Sequence, residues 1–165
     1  MSEIDFKKIG LKVGLEIHQQ LATNKKLFCN CNQKESDEYA RKFSRKLRIT
    51  RSEMGEYDPA AIFEKNKSKI IMYYSNPESS CLVEEDEEPP HDVEYSAKKT
   101  ALLIASMLKS KIFREIFPMR KLVIDGSNTS GFQRTMLISQ GGYLNVEGNK
   151  IGVQSICLEE DAAKL

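Results

Sequence analysis

No stretch of this sequence is long and apolar enough to span a bilayer. The longest strongly apolar run, Ala101 to Leu108, falls far short of the roughly 18–20 residues that a membrane helix needs. The N-terminus, Met-Ser-Glu-Ile-Asp-Phe-Lys-Lys, has no apolar signal core, so export is not expected. Net charge is nearly absent too: 25 Lys and Arg stand against 24 Asp and Glu, a formal +1. That balance excludes whole-chain basicity as a nucleic-acid signal and leaves only local patches. Cysteine is scarce. Four residues without a signal peptide imply reduced thiols in a cytoplasmic protein, not a disulfide framework. Repeats, low-complexity tracts and an interdomain linker are missing. So is GxxxxGK[ST], which excludes a P-loop; any ATP would lie on a sheet, held through metal and basic side chains. What remains is a 165-residue chain, 40% apolar and 30% charged, suited to one globular domain with its own core.

The hydrophobic pattern predicts α+β architecture, mostly antiparallel, with at least one packed helix. Leu11, Val13, Leu15 and Ile17 alternate with Lys12, Gly14, Glu16 and His18, the signature of a half-buried strand that sets Glu16 beside His18. Thr23 to Lys26 reads as a turn. Cys29 and Cys31 share a face if Leu27 to Asn32 is extended. Glu35 to Arg51 mixes Arg41, Lys42, Arg45, Lys46, Arg48 and Arg51 with Tyr39 and Phe43, and its periodicity leaves helix and ordered loop both open. Ile70 to Tyr74 favours a strand. The acidic run Glu84 to Glu88 ends at Pro89-Pro90 in an extended or turning loop. Asp92 is the expected N-cap of a helix with an apolar stripe at Ala97, Ala101, Ile104, Ala105, Leu108 and Ile112. Lys121 to Ile124 reads as a short strand entering the loop from Asp125 to Gly131. Gly141-Gly142 and Gly148-Asn149 then separate strands of an antiparallel meander.

Four constellations carry chemistry. Glu16 and His18 offer lone pairs to one divalent metal; the competing reading is an exposed polar strand face. Cys29, Cys31 and the distant Cys81 supply three zinc-type ligands. Glu84, His91 or Cys157 could complete four, although no CxxC is present and buried reduced thiols explain the pattern as well. Acidic runs are ordinarily solvated, the expectation for Glu84 to Glu88. Glu159-Glu160-Asp161 directly follows a β-like run, where buried charge requires a cation or basic partners. Finally, Arg120-Lys121 before a Gly, Ser and Thr loop suits phosphate oxygens, or is simply a basic surface hairpin.

Longer motifs connect these pieces. Gly14-Leu15-Glu16-Ile17-His18-Gln19-Gln20-Leu21 followed by Lys26-Leu27-Phe28-Cys29-Asn30-Cys31 resembles the opening of the GatB/GatE amidotransferase proteins. Ser52 to Glu56, Cys81-Leu82-Val83-Glu84, Asp86 to His91, and Met119-Arg120-Lys121 through Ile124 to Thr135 resemble the archaeal GatE type more than the bacterial or organellar GatB type. The resemblance runs along essentially the whole chain.

It implies a partial cradle domain related to glutamine synthetase, with residues 1–165 as its N-terminal portion and the C-terminal tRNA-binding domains absent. The implied reaction converts Glu-tRNA(Gln) to Gln-tRNA(Gln). ATP and Mg²⁺ phosphorylate the γ-carboxylate. Ammonia from an asparaginase-like glutaminase partner, the D subunit of the archaeal enzyme, then displaces phosphate. By resemblance, Glu16, His18 and Glu160 hold Mg²⁺, with Glu159 and Asp161 as neighbours able to substitute. Lys121 and Arg120 contact phosphate, and Cys29, Cys31 and Cys81 fall where many members hold structural Zn²⁺, although this chain departs from the four-cysteine version. Because the family continues past Leu165, a fragment inactive alone is expected. The rival is a non-catalytic tRNA- or partner-binding module on the same scaffold, founded on the basic and aromatic stretch from Tyr39 to Arg51.

Overall fold

The computed structural model describes residues 4–33, 39–49, 56–57, 59–122 and 132–160. The strand-favouring segment Ile70–Ser75 (β2) pairs antiparallel with Arg41–Lys46 (β1), in register from Arg41 opposite Ser75 to Lys46 opposite Ile70. The ambiguous basic stretch is therefore a strand from Arg41 to Lys46. Phe43 faces Tyr73 across the ladder with rings stacked at 5.0 Å and 7°, and the Arg45 guanidinium lies 4.7 Å from the Tyr73 centroid. Such cross-strand aromatic pairs stabilise a ladder that its own sequence periodicity does not announce. The helix Pro59–Asn66 (α1) connects the two strands, with Pro59 at its first position, where a missing N–H costs nothing.

The expected long helix is Tyr95–Met107 (α2). Its N-cap is Glu94, not Asp92: the Glu94 carboxylate accepts from the Ala97 amide at 2.7 Å. The reason lies outside the helix. The amides of His91 and Glu94 donate to the carbonyls of Phe28 and Leu27, at 2.9 and 2.8 Å, so the approach to the helix is pinned until residue 94. Ala97, Ala101 and Ala105 form a buried stripe four residues apart, and their methyls let the helix axis approach the sheet closely. Ile104 is exposed and Ile112 belongs to the next strand, so the buried face is narrower than expected.

The remaining strands are Lys111–Ile112 (β3), Met119–Leu122 (β4), Phe132–Gln140 (β5), Tyr143–Val146 (β6), Asn149–Gly152 (β7) and Ser155–Glu160 (β8). β5 is the spine: β3 and β4 pair with one edge, β8 with the other, all antiparallel. Ile138 is the extra residue of a bulge between the Leu137–Cys157 and Ser139–Ile156 pairs, and it is buried. β6 and β7 form a separate hairpin, so the last strands are not a simple meander. The hairpin turn is Glu147-Gly148, one residue earlier than expected, with φ of 50° and 81°, as a type I′ turn requires. Gly142, at φ 110°, could not carry a side chain: a Cβ there would sit 2.6 Å from the Leu108 carbonyl oxygen. That oxygen accepts from the Tyr143 amide at 2.8 Å, joining the end of α2 to the hairpin.

Among the described residues the architecture is α+β, built from antiparallel sheets and two helices. One expected strand is not formed. Residues 11–20 join no ladder among the described residues, and Leu15 and Ile17 are 85% and 84% exposed. Alternation makes a segment competent to pair, but pairing also requires a free strand edge in the right place. The loop from Asp125 to Gly131, the segment Ser52 to Gly55 and Asp161 lie outside the described residues.

Candidate metal centre

The loop bearing Cys29 and Cys31 is not extended. Lys25 and Asn32 form a bridge, and the Lys26 amide donates to the Cys31 carbonyl at 3.0 Å, folding the segment back on itself. Leu27, Phe28 and Cys29 are buried beneath the start of α2. Cys81 arrives from the other side. The ligand atoms of Cys29, Cys31 and Cys81 all lie within 4.8 Å of one another, and among the described residues no other group of three or more His, Cys, Asp or Glu does so. All three are free thiols. Burial pushes the Cys29 thiol well up, reinforced by the neighbouring Glu84 charge. Burial and a hydrogen bond with Cys81 raise Cys31. Neutral thiols here must give up protons to bind a metal, so metal affinity rises with pH.

The acidic run that follows is not a solvated face. Glu85 is buried, accepting from Ser75 Oγ at 2.9 Å and ion-paired to Arg41 at 3.1 Å. Glu87 accepts from Arg45 and Arg48, at 3.1 and 2.8 Å. Arg48 also donates to the Asp86 carbonyl at 2.8 Å, and Arg45 to that of Glu85. Thus three arginines of the basic stretch strap the acidic loop onto β1, Arg45 and Arg48 sharing the one Glu87 carboxylate.

Glu84 points the other way, ion-paired to Lys26, accepting from Cys29 Sγ at 3.5 Å and hydrogen-bonded to Glu160. Glu160 in turn accepts from the buried Arg134 at 2.7 Å, and Arg134 donates to the Val83 carbonyl at 2.9 Å. Next to this, Glu159 accepts from Thr135 Oγ1 at 2.9 Å. Two touching carboxylates cannot both ionise cheaply. Burial pushes Glu160 up to about 7, with the Glu84 hydrogen bond adding to it against Arg134. Burial also opposes ionisation of Glu84, but its hydrogen bonds from Glu160 and Lys26 hold it below the ordinary value. The pair shares one proton near neutrality, chiefly on Glu160.

This sharing has a definite pH signature in the metal-free chain. Because Glu160 binds its proton more tightly when folded, its contribution is fully present below about pH 4.5 and lost as pH rises through about 7. Glu84 has the opposite sign, contributing above its unfolded value and losing that contribution on acidification. In chelator, the urea midpoint should fall between pH 5 and pH 8, by up to about 3 kcal/mol in stability, and Glu160→Gln should flatten the decline. A wild-type midpoint that climbs over that interval would contradict the shared proton.

The structure thus assembles the expected site residues in separate groups. Cys29, Cys31 and Cys81 meet. Glu16 and His18 meet each other at 3.2 Å, on the exposed 11–20 segment. Glu160 sits with Glu84 and Arg134, and it does not form one ligand cluster with Glu16 and His18. Arg120 and Lys121 lie on β4, opposite Arg134 and Gln133 of β5, so Arg120, Arg134 and Glu160 occupy one transverse row of the sheet. Of the suggested fourth cysteine-site ligands, His91 pairs with Glu88 at 2.9 Å and Cys157 is exposed. A cavity of about 420 Å³ opens between the loop from Asp86 to Pro90 and Pro118-Met119, with Arg134 in its wall. Sequence reading missed the Arg134–Glu160 pair, whose members are 26 residues apart and show no local signal.

Arg134, which binds one member of the carboxylate pair, is therefore also part of the wall of that cleft. Comparison with known proteins adds to this. The model of the GatB/GatE catalytic domain matches residues 11–165. The chain belongs to the GatB/GatE catalytic domain family. It is 54% identical over 164 residues to the E subunit of glutamyl-tRNA(Gln) amidotransferase from Sulfolobus acidocaldarius, covering 99% of this chain and 26% of that protein. The corresponding protein of Methanococcus maripaludis is 55% identical over 161 residues, covering 97% of this chain and 26% of the relative. For that of Aeropyrum pernix the values are 51% over 164 residues, 99% and 26%. This GatB/GatE chain therefore spans about a quarter of the length of those relatives. None of its helices, among the described residues, is long and apolar enough to cross a membrane.

Proposed function

We propose that this chain is the N-terminal portion of a glutamine-synthetase-like cradle in an amidotransferase of the archaeal GatE type, converting Glu-tRNA(Gln) to Gln-tRNA(Gln). The reading rests on one observation: identity of 51–55% to archaeal GatE proteins along nearly the whole chain. Hydroxide is a poor leaving group, so a carboxylate must be activated before ammonia can replace its oxygen. Bound ATP and Mg²⁺ would supply that activation by phosphorylating the γ-carboxylate. On this reading Glu160, with Glu16 and His18, holds the ion, while Arg120 and Lys121 on β4 balance phosphate charge. Bringing the first two residues to Glu160 requires the 11–20 segment to dock at the sheet, which would also cover the exposed Leu15 and Ile17. Cys29, Cys31 and Cys81 would hold structural Zn²⁺; their mutual distances suit thiolate ligands. Ammonia would come from the asparaginase-like D subunit.

The alternative, a non-catalytic tRNA- or partner-binding module or an inactive fragment, draws less support, because Arg41, Arg45 and Arg48 already pair within the chain. In the assembled amidotransferase, Glu16→Ala and His18→Ala should each abolish phosphorylation of Glu-tRNA(Gln), measured as tRNA-dependent ATP turnover. Undiminished turnover in both variants would remove these residues from the metal site.

A further inference from the structure

We infer that Glu84 is the fourth ligand of the cysteine centre, making it a three-thiolate, one-carboxylate zinc site. The inference rests on the reading that Cys29, Cys31 and Cys81 bind zinc, and adds to it the identity of the remaining donor.

Three observations carry it. First, Glu84 Oε1 lies 3.5 Å from Cys29 Sγ. With Zn–S near 2.3 Å and Zn–O near 2.0 Å, two ligands of a tetrahedral ion stand about 3.5 Å apart, so the contact with Cys29 has the length of a tetrahedron's edge. The group mutually within 4.8 Å is the three sulfurs alone, and a bound ion would draw Glu84 in toward Cys31 and Cys81. Second, the backbone delivers Cys81 and Glu84 together. The amides of Glu85, Asp86 and Glu87 donate to the carbonyls of Cys81, Val83 and Leu82, at 3.0, 3.2 and 2.8 Å. These turns put positions three apart on one side, while Val83 is fully buried in the core. Cys-x-x-Glu is thus a zinc knuckle with its second thiolate replaced by a carboxylate. Third, the other acidic and imidazole groups nearby are committed elsewhere: Glu85 to Ser75 and Arg41, His91 to Glu88, and Glu160, which touches Glu84, to Arg134.

Charge supports the same assignment. Three thiolates and a carboxylate around a divalent ion leave a net double negative charge in a partly buried site. Lys26 is ion-paired to Glu84 Oε2, the oxygen opposite the one facing Cys29, and offsets part of it. Oε1 can therefore turn to the metal while Oε2 keeps its lysine.

The test is zinc affinity by chelator competition, together with the visible spectrum of the Co²⁺ form, on the whole 165-residue chain. Wild type should bind one zinc and show thiolate-to-cobalt charge transfer of three-thiolate intensity. Glu84→Gln should weaken zinc at least about tenfold. Glu84→Cys should keep or raise the affinity and increase the charge-transfer intensity to a four-thiolate value, a gain that misfolding cannot produce. His91→Ala and Cys157→Ser should leave both readouts unchanged. Charge transfer in Glu84→Cys that stays at the three-thiolate level would overturn the inference, as would loss of zinc in His91→Ala or Cys157→Ser. No zinc binding by wild type would instead defeat the underlying reading of the cysteines.

Discussion

Phe28→Ala should destabilise the fold by about 3–5 kcal/mol, a large part of the roughly 5–15 kcal/mol that holds an ordinary domain together. Phe28 is fully buried and sits in the same cluster as Val83 and the alanine stripe of α2. Truncation removes the transfer energy of a whole ring and leaves a hole. Collapse into that hole is hindered, because the Phe28 carbonyl is fixed by the His91 amide and the Leu27 carbonyl by that of Glu94. The consequence reaches the thiols. Cys29 follows directly, so a loosened loop should expose it, and modification of its thiol by a chromogenic disulfide should accelerate in parallel with the lowered urea midpoint. A loss below about 1 kcal/mol would mean that the loop, not the ring, anchors this end of the core.

Arg134→Ala should cost a similar amount, about 3–5 kcal/mol, for an electrostatic reason. The side chain is buried, donating to Glu160 and to the Val83 carbonyl. Its removal strands both acceptors away from water and deprives Glu160 of the charge that partly counters its burial. Replacing both partners together, as in Arg134→Met with Glu160→Met, should recover part of the loss, since it leaves no unpaired carboxylate at position 160 but still deprives the Val83 carbonyl of its donor. Chemical denaturation of the singles and the double at pH 7 measures this as a coupling energy. Additive losses would show that Arg134 acts mainly through the Val83 carbonyl. No buried side-chain nitrogen or oxygen lacks a partner among the described residues, so either single change introduces a defect where none exists.

Local chemistry accounts for much of what the sequence made legible. α2 and β2 are evident because a repeat of 3.6 and a run of β-formers are written in neighbouring residues. Thr23 to Lys26 is only partly the turn its residues suggest. The chain bends at Asn24, with Thr23 Oγ1 donating to the Lys25 carbonyl at 2.7 Å, but Lys25 already bridges Asn32 and the turn itself falls at Leu27-Phe28. Glu16 and His18 are indeed adjacent, because alternation fixes that locally. The ladder expected around them does not follow, since alternation states which face is apolar and not what will cover it.

By itself, then, the sequence determined α2 and β2, the nearness of Cys29 to Cys31, and family membership through its long motifs. Only the tertiary structure decided that Cys81 joins them, that Glu84 faces Cys29 across 55 residues of chain and Lys26 across 58, and that the acidic run lies on the arginines of β1. The physical reason is range. Periodicity and turn chemistry act over a few residues, whereas a buried charge accepts whichever partner the packing of distant segments brings within hydrogen-bonding distance.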